Sequence, residues 1–129
     1  MAKTIESILI EAKTIESILI DFLNFKGFRA YGEEPEKPPR EYIVIGKVGG
    51  GCENHIDSAV MTIRSYSETM AQAASLNQQV KRLMLYELVN LPEIAGVYLN
   101  SDYPQAEPGT KRYRYQAVYD ITYYETYEE

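Results

Sequence analysis

Tyr42-Ile-Val-Ile-Gly-Lys-Val-Gly-Gly-Gly-Cys-Glu-Asn-His-Ile56, with the two runs that follow it as far as Leu88, decides the fold. Tyr42 to Val48 is β-branched and almost wholly apolar, the composition of a buried strand. From Asp57 to Ser67 the residues Ala59, Met61 and Ile63 alternate with Val60, Thr62, Arg64 and Tyr66, the period of a strand with two unlike faces. These two runs form an antiparallel hairpin. Between them, Gly49 to Ile56 reads as a flexible, projecting tip, too long for a two-residue turn and too rich in glycine for a continuing strand. After Ser67 the period changes, and Met70, Ala73, Leu76, Val80, Leu83, Met84 and Leu88 recur at steps of three and four. That pattern predicts an amphipathic helix of about six turns over residues 68–90. Ser67 or Thr69 caps it, Thr69 and Gln72 having capping-box spacing, and Pro92 stops it. Leu76, Val80, Leu83 and Met84 are its expected buried face, laid against the sheet.

Upstream lies a tandem repeat, Ala2-Lys-Thr-Ile-Glu-Ser-Ile-Leu-Ile-Glu11 followed by Ala12-Lys-Thr-Ile-Glu-Ser-Ile-Leu-Ile-Asp21, the copies differing only in the last carboxylate. Ile5, Ile8, Ala12, Ile15, Leu19 and Phe22 make one helical seam across both copies, so a single long helix is one reading. In the other, only the second copy, from Thr14 to Asn24, is the first helix, and residues 2–11 are a duplicated extension. Ile15, Leu19 and Phe22 then suffice for the buried face, and deleting residues 2–11 leaves melting and assembly nearly unchanged. Gly27 ends the helix, and the acidic, proline-punctuated stretch from Tyr31 to Glu41 is a connection running extended over the surface.

Downstream of the helix, Val97-Tyr98-Leu99 reads as a short strand and Asn100 to Lys111 as a polar loop. The last and longest strand begins at Arg112 and places Tyr113, Tyr115, Ala117, Tyr119, Ile121 and Tyr123 on one face. The order is α-β-β-α-β-β, an α+β fold with helices packed on a largely antiparallel sheet.

A chain of 129 residues suits one domain with its own core. No apolar run approaches a membrane span, and the N-terminal repeat, interrupted by Lys and Glu, lacks the pattern of a secretory signal. The single cysteine, Cys52, forms no intrachain disulfide and suits a reducing cytoplasm. A net charge of −6 argues against broad phosphate-backbone binding. Twelve tyrosines stand against no tryptophan, seven of them between Tyr103 and Tyr127, and rings at that density suit a protein interface as well as a core edge.

The residues carry no catalytic constellation. Gly49-Gly50-Gly51 is not followed by Gly-Lys-Ser/Thr or by a helix, so it lacks the parts of a phosphate cradle. Cys52 and His55 supply too few ligands for a closed zinc site, and as a nucleophile pair they lack a third, orienting group. The acidic clusters Glu33, Glu34, Glu36 and Glu125, Glu128, Glu129 read as solvated. No enzyme, cofactor or metal is expected.

The first helix, the proline-containing loop before the Tyr42–Val48 strand, the hairpin, the helix running into Asn90-Leu-Pro-Glu-Ile94 and the final Asp120-Ile-Thr-Tyr-Tyr124 together resemble the phage tail terminator proteins. These tail-completion, head-tail joining proteins are small acidic α+β domains. The resemblance runs from about residue 12 onward and rests on the arrangement rather than on any one motif; the duplicated N-terminus departs from it. It implies a structural virion protein that forms a homo-oligomeric, hexameric ring at the tail-head junction after assembly in the host cytoplasm. One face would bind the tail tube protein and end its polymerisation, and the other would meet the head completion or connector protein. DNA would pass through an acidic lumen without specific binding. The ring contacts are expected at the hairpin tip, Gly49, Gly50, Gly51, Glu53 and His55, and on the tyrosine strand, Tyr115, Tyr119, Tyr123 and Tyr124. Two alternatives stand beside this reading: a head-side neck or adaptor protein, and a ligand-binding α+β domain with a pocket between helix and sheet.

Overall fold

The computed structural model describes residues 13–106 and 112–125. The first copy of the repeat, the end of the expected polar loop and most of the acidic tail lie outside them. The elements are α1 (Ile15–Phe25), β1 (Ala30–Tyr31), β2 (Tyr42–Glu53), β3 (Ile56–Ser67), α2 (Met70–Tyr86), a 3-10 turn (Leu88–Asn90), β4 (Ile94–Ala106) and β5 (Tyr113–Tyr124). The five strands lie in the order β1-β2-β3-β5-β4. Every neighbouring pair is antiparallel except β1 with β2. The chain is α+β in the expected order, with the two-residue β1 added at the edge. Ile15, Leu19 and Leu23 of α1 and Leu76, Val80 and Met84 of α2 share one apolar cluster with Ile43, Ile45, Met61, Ile63, Tyr119 and Ile121. Both helices therefore cover the same face of the sheet.

The second repeat copy forms α1, and its caps show why the helix has these limits. Thr14 has extended backbone (φ −82°, ψ 154°), and its side chain accepts the Ser17 N–H at 3.1 Å, satisfying a donor that the first turn leaves free. The long-helix reading is thereby corrected, since an extended Thr14 interrupts any continuous helix. At the other end Gly27 takes φ +99°, the Phe28 N–H bonds the Leu23 carbonyl and the Gly27 N–H that of Asn24, the paired bonds of a Schellman ending. The choice of copy also has a cause. Were the first copy seated here, Ala12 and Lys13 would replace Phe22 and the fully buried Leu23, and a lysine without a partner is costly in an apolar core.

The hairpin differs from expectation in its turn. Gly49 to Glu53 continue β2, paired with Ile56 to Val60 of β3 after an irregularity between Lys47 and Gly49. Only Asn54 and His55 form the turn, with φ of 53° and 67°. Two residues with positive φ match the twist of the flanking strands, and Asn and His tolerate that region better than most side chains. The three glycines thus do not make a loop, and β5 flanks β3 as far as the Ile56–Tyr124 pair, so only the turn itself extends past the sheet. His55→Gly is expected to raise stability by about 1 kcal/mol by removing the cost of a side chain in the left-handed region, read as a higher urea midpoint.

α2 is shorter than the periodicity implied. Thr69 caps it, accepting the Gln72 N–H at 3.1 Å, but the regular helix stops at Tyr86 and the 3-10 turn carries the chain to Asn90. The tighter turn delivers Leu88 into the core. Leu83 is only partly buried against the core, whereas Asn77, read as part of the polar side, is buried.

Asn77 also bears on a further correction, in β4, which runs through Asn100 to Ala106 where a polar loop was expected and is the longest strand at 13 residues. Its Nδ2 donates to Asp102 at 2.9 Å, and the Lys81 ammonium pairs with the same carboxylate oxygen. This clamp fastens the upper half of β4 to α2. The hydrogen bond from Lys81 is the main cause that holds the Asp102 carboxyl below its ordinary value. Its contribution is complete above the ordinary Asp range and is lost as pH falls through the lowered value. Asp102→Ala leaves the buried Asn77 amide unpaired and is expected to cost about 1–3 kcal/mol near neutral pH, with a smaller difference from the parent in acid unfolding experiments.

The proline-rich connection is also more than a surface strand. Tyr42 and Tyr66 stack at 4.6 Å on the face of the sheet away from the helices, and Tyr31 meets Tyr42 edge-on. The Arg112 guanidinium lies over Tyr42 and donates to the carbonyls of Pro39 and Arg40 at 2.7 and 3.0 Å. Glu34, expected to be solvated, accepts the Tyr42 hydroxyl. Burial and then that hydrogen bond push the phenol well above the ordinary tyrosine range. Residues 32–41 are therefore fastened over one end of the sheet, where Tyr42, Val44 and Tyr66, with Tyr31 against them, make a second, small core.

Candidate interaction face

Beyond that strap no element among the described residues lies on the face of the sheet opposite the helices. Paired residues of antiparallel strands share a face, so the register identifies its surface. Gly46, Thr62, Val118 and Ser101 form one row; Gly49, Val60, Asp120 and Tyr98 form the next; Gly51, Ser58, Thr122 and Gly96 form a third. The rows make a floor of small and half-exposed side chains. At Gly96 a β-carbon would stand 3.0 Å from the Thr122 hydroxyl, so glycine lets the threonine lie flat across the strands. A shallow trough of about 490 Å³ follows this floor between Ser58, Val60, Gly96, Tyr98 and Thr122. Tyr98, 72% exposed, stands at its side, with Tyr103, Tyr124 and Ile56 also exposed around it. Arg64 and Gln116 border it toward the strap.

The expected interface residues divide across the sheet. Gly49, Gly51, Glu53 and Tyr124 lie on the open face, and Glu53 and His55 are exposed at the turn. Gly50 and Tyr115 belong to rows on the helix side. Tyr119 and Tyr123 are buried in the domain's own core, which corrects their assignment to a contact surface: they sit on the same side as Ala117 and Ile121, beneath the helices. Burial drives the Tyr119 phenol above its ordinary range. The sequence reading missed Tyr98, Tyr103, Val60 and Val118. Alternation gave no signal for the two tyrosines: five residues apart, they would fall on opposite faces of an unbroken strand, and they share this face only through the register shift between Leu99 and Ser101, in a stretch whose Asn100, Ser101, Asp102 and Pro104 have loop composition.

The two sheet edges differ. β1 covers only Ile43 and Val44 of β2, so among the described residues Gly46 to Glu53 form an unpaired edge. On the opposite edge, β4 carries register shifts at 94/96 and 99/101 and a proline at 104, devices that discourage pairing.

The Cys52 thiol is raised chiefly by its hydrogen bond to Asp57, the direction opposite to activation of a nucleophile. Among the described residues no three His, Cys, Asp or Glu side chains gather as a metal site, and no helix is long and apolar enough to cross a membrane. Comparison of the sequence with protein-family models and with curated proteins finds no match.

Proposed function

We propose that this protein is a structural subunit of the phage tail terminator type, which closes into a ring on the end of the tail tube. The observation that carries the reading is the uncovered sheet face, floored by small residues and edged by exposed tyrosines. An antiparallel sheet can leave one face to water, but the exposed Ile56, Tyr98, Tyr103 and Tyr124 on this one are side chains that a partner would cover, and tyrosine is among those that interfaces favour. A closed ring also needs two unlike patches on each subunit, and the open β2 edge and the bulged β4 edge are unlike. Six subunits is the number the resemblance implies. The net charge of −6 suits a channel wall that repels DNA and lets it pass. The space between helices and sheet, where a ligand-binding domain would place its pocket, is occupied by Leu76, Val80, Met84, Met61, Ile63 and Tyr119.

Sedimentation of the purified protein over a range of concentrations and salt tests the assembly. A closed oligomer that persists or tightens with salt is expected, because like-charged subunits held by apolar and tyrosine contacts gain from screening. A monomer at every concentration, or a ring that dissolves as salt rises, would contradict it.

A further inference from the structure

We infer, resting on the ring reading above, that neighbouring subunits are joined by a salt bridge from Glu53 at the turn of one copy to Arg64 on the open face of the next. Arg64 sits on that face between Val44 of β2 and Gln116 of β5. It is half-buried, its Nε is shut off from water, and its guanidinium has no hydrogen bond or ion pair among the described residues. A cation held partly out of water with unused donors is destabilising. The group that best satisfies a guanidinium is a carboxylate, which accepts two of its N–H groups at once.

The strands of the same copy do not supply that carboxylate. Asp120, on this face, lies in the row of Val60, four residues or about 13 Å along β3 from Arg64, and accepts the Asn100 amide at 3.3 Å. Glu34 of the strap is taken by the Tyr42 hydroxyl. Glu53 pairs with Ile56, eight residues or about 27 Å along β3 from Arg64, so these two meet only between copies. Glu53 is also suited to the task. It is exposed, has no hydrogen bond or ion pair among the described residues, and borders the one part of the hairpin that extends past the sheet. Ile56 and Tyr124, 36% and 47% exposed, flank it on the same face. The surface around Arg64 matches that make-up, with Thr62 and Val118 half-buried and Tyr103 exposed. Turn and face are unlike patches, so the contact is the head-to-tail kind that a closed ring needs. One ion pair per contact fixes register and neighbour, while repulsion between whole subunits of net charge −6 remains the larger effect that salt relieves.

Charge reversal, read by sedimentation at fixed salt, provides the test. Glu53→Arg and Arg64→Glu should each weaken association by about tenfold or more, with circular dichroism showing both chains folded. The doubly reversed chain should recover the parent's association. So should an equimolar mixture of the two singly reversed chains, because every contact in an alternating ring then joins opposite charges, and mixing cannot repair a defect of folding. Single reversals that associate like the parent, or a mixture as weak as its components, would overturn the contact and leave the ring reading standing. If a reversed chain does not fold, Glu53→Gln and Arg64→Gln carry the same test: losses that fail to add mark the contact, and additive losses overturn it. A parent that is monomeric at every concentration would remove the ring and this contact together.

Discussion

Leu76→Ala is expected to destabilise the domain by about 2–5 kcal/mol, the range for a large aliphatic side chain truncated in a packed core. Leu76 is 1% exposed and lies in the cluster where α2 meets the sheet. Its loss removes apolar contact and leaves a cavity between elements that cannot easily collapse, because α2 is fixed at one end by the Thr69 cap and farther along by the Asn77–Asp102–Lys81 clamp. Leu83→Ala should cost less, since Leu83 is only partly buried. Chemical denaturation of both variants decides the point. Equal losses would mean that the helix presents a different face to the sheet.

A second large effect separates core from contact within the tyrosine set. Tyr98→Asp, on the exposed face, should leave the fold and its melting within about 0.5 kcal/mol of the parent, as expected of a surface change. It should weaken self-association by about 30-fold or more, the equivalent of the ~2 kcal/mol that marks a residue central to an interface. Tyr119→Asp should instead unfold the domain, because it places a carboxylate without a partner at a position that is 0% exposed. Circular dichroism and sedimentation distinguish the outcomes. Folded, fully associated Tyr98→Asp would remove the open face from the contact.

Much of this fold was legible in the sequence where the period is unbroken. The switch from two to three and four at Ser67, the Thr69–Gln72 spacing and the glycine at 27 all report local physics, and the structure places the corresponding strand, cap and left-handed residue there. The misreadings share a cause: tertiary pairing overrode local composition. Three glycines read as a loop became a strand because β3 supplies partners on one side. Asn100 to Ala106 became a strand because β5 pairs with it and α2 anchors Asp102. For the same reason the tyrosines were legible as a group but not by side. Their assignment to core or surface depends on which face the helices cover, and that is fixed by contacts distant in sequence. The strap was hidden because its partner, Arg112, lies about seventy residues away.

The claim at the centre of this account is that the protein ends the growth of a tube, and the direct measurement is the length of tail tubes assembled from purified tube protein with and without it. Tubes that stop growing, each carrying a ring of this protein at one end, are the expected result. Unchanged tube lengths, with the protein remaining monomeric and unattached to tube ends, would contradict the terminator reading.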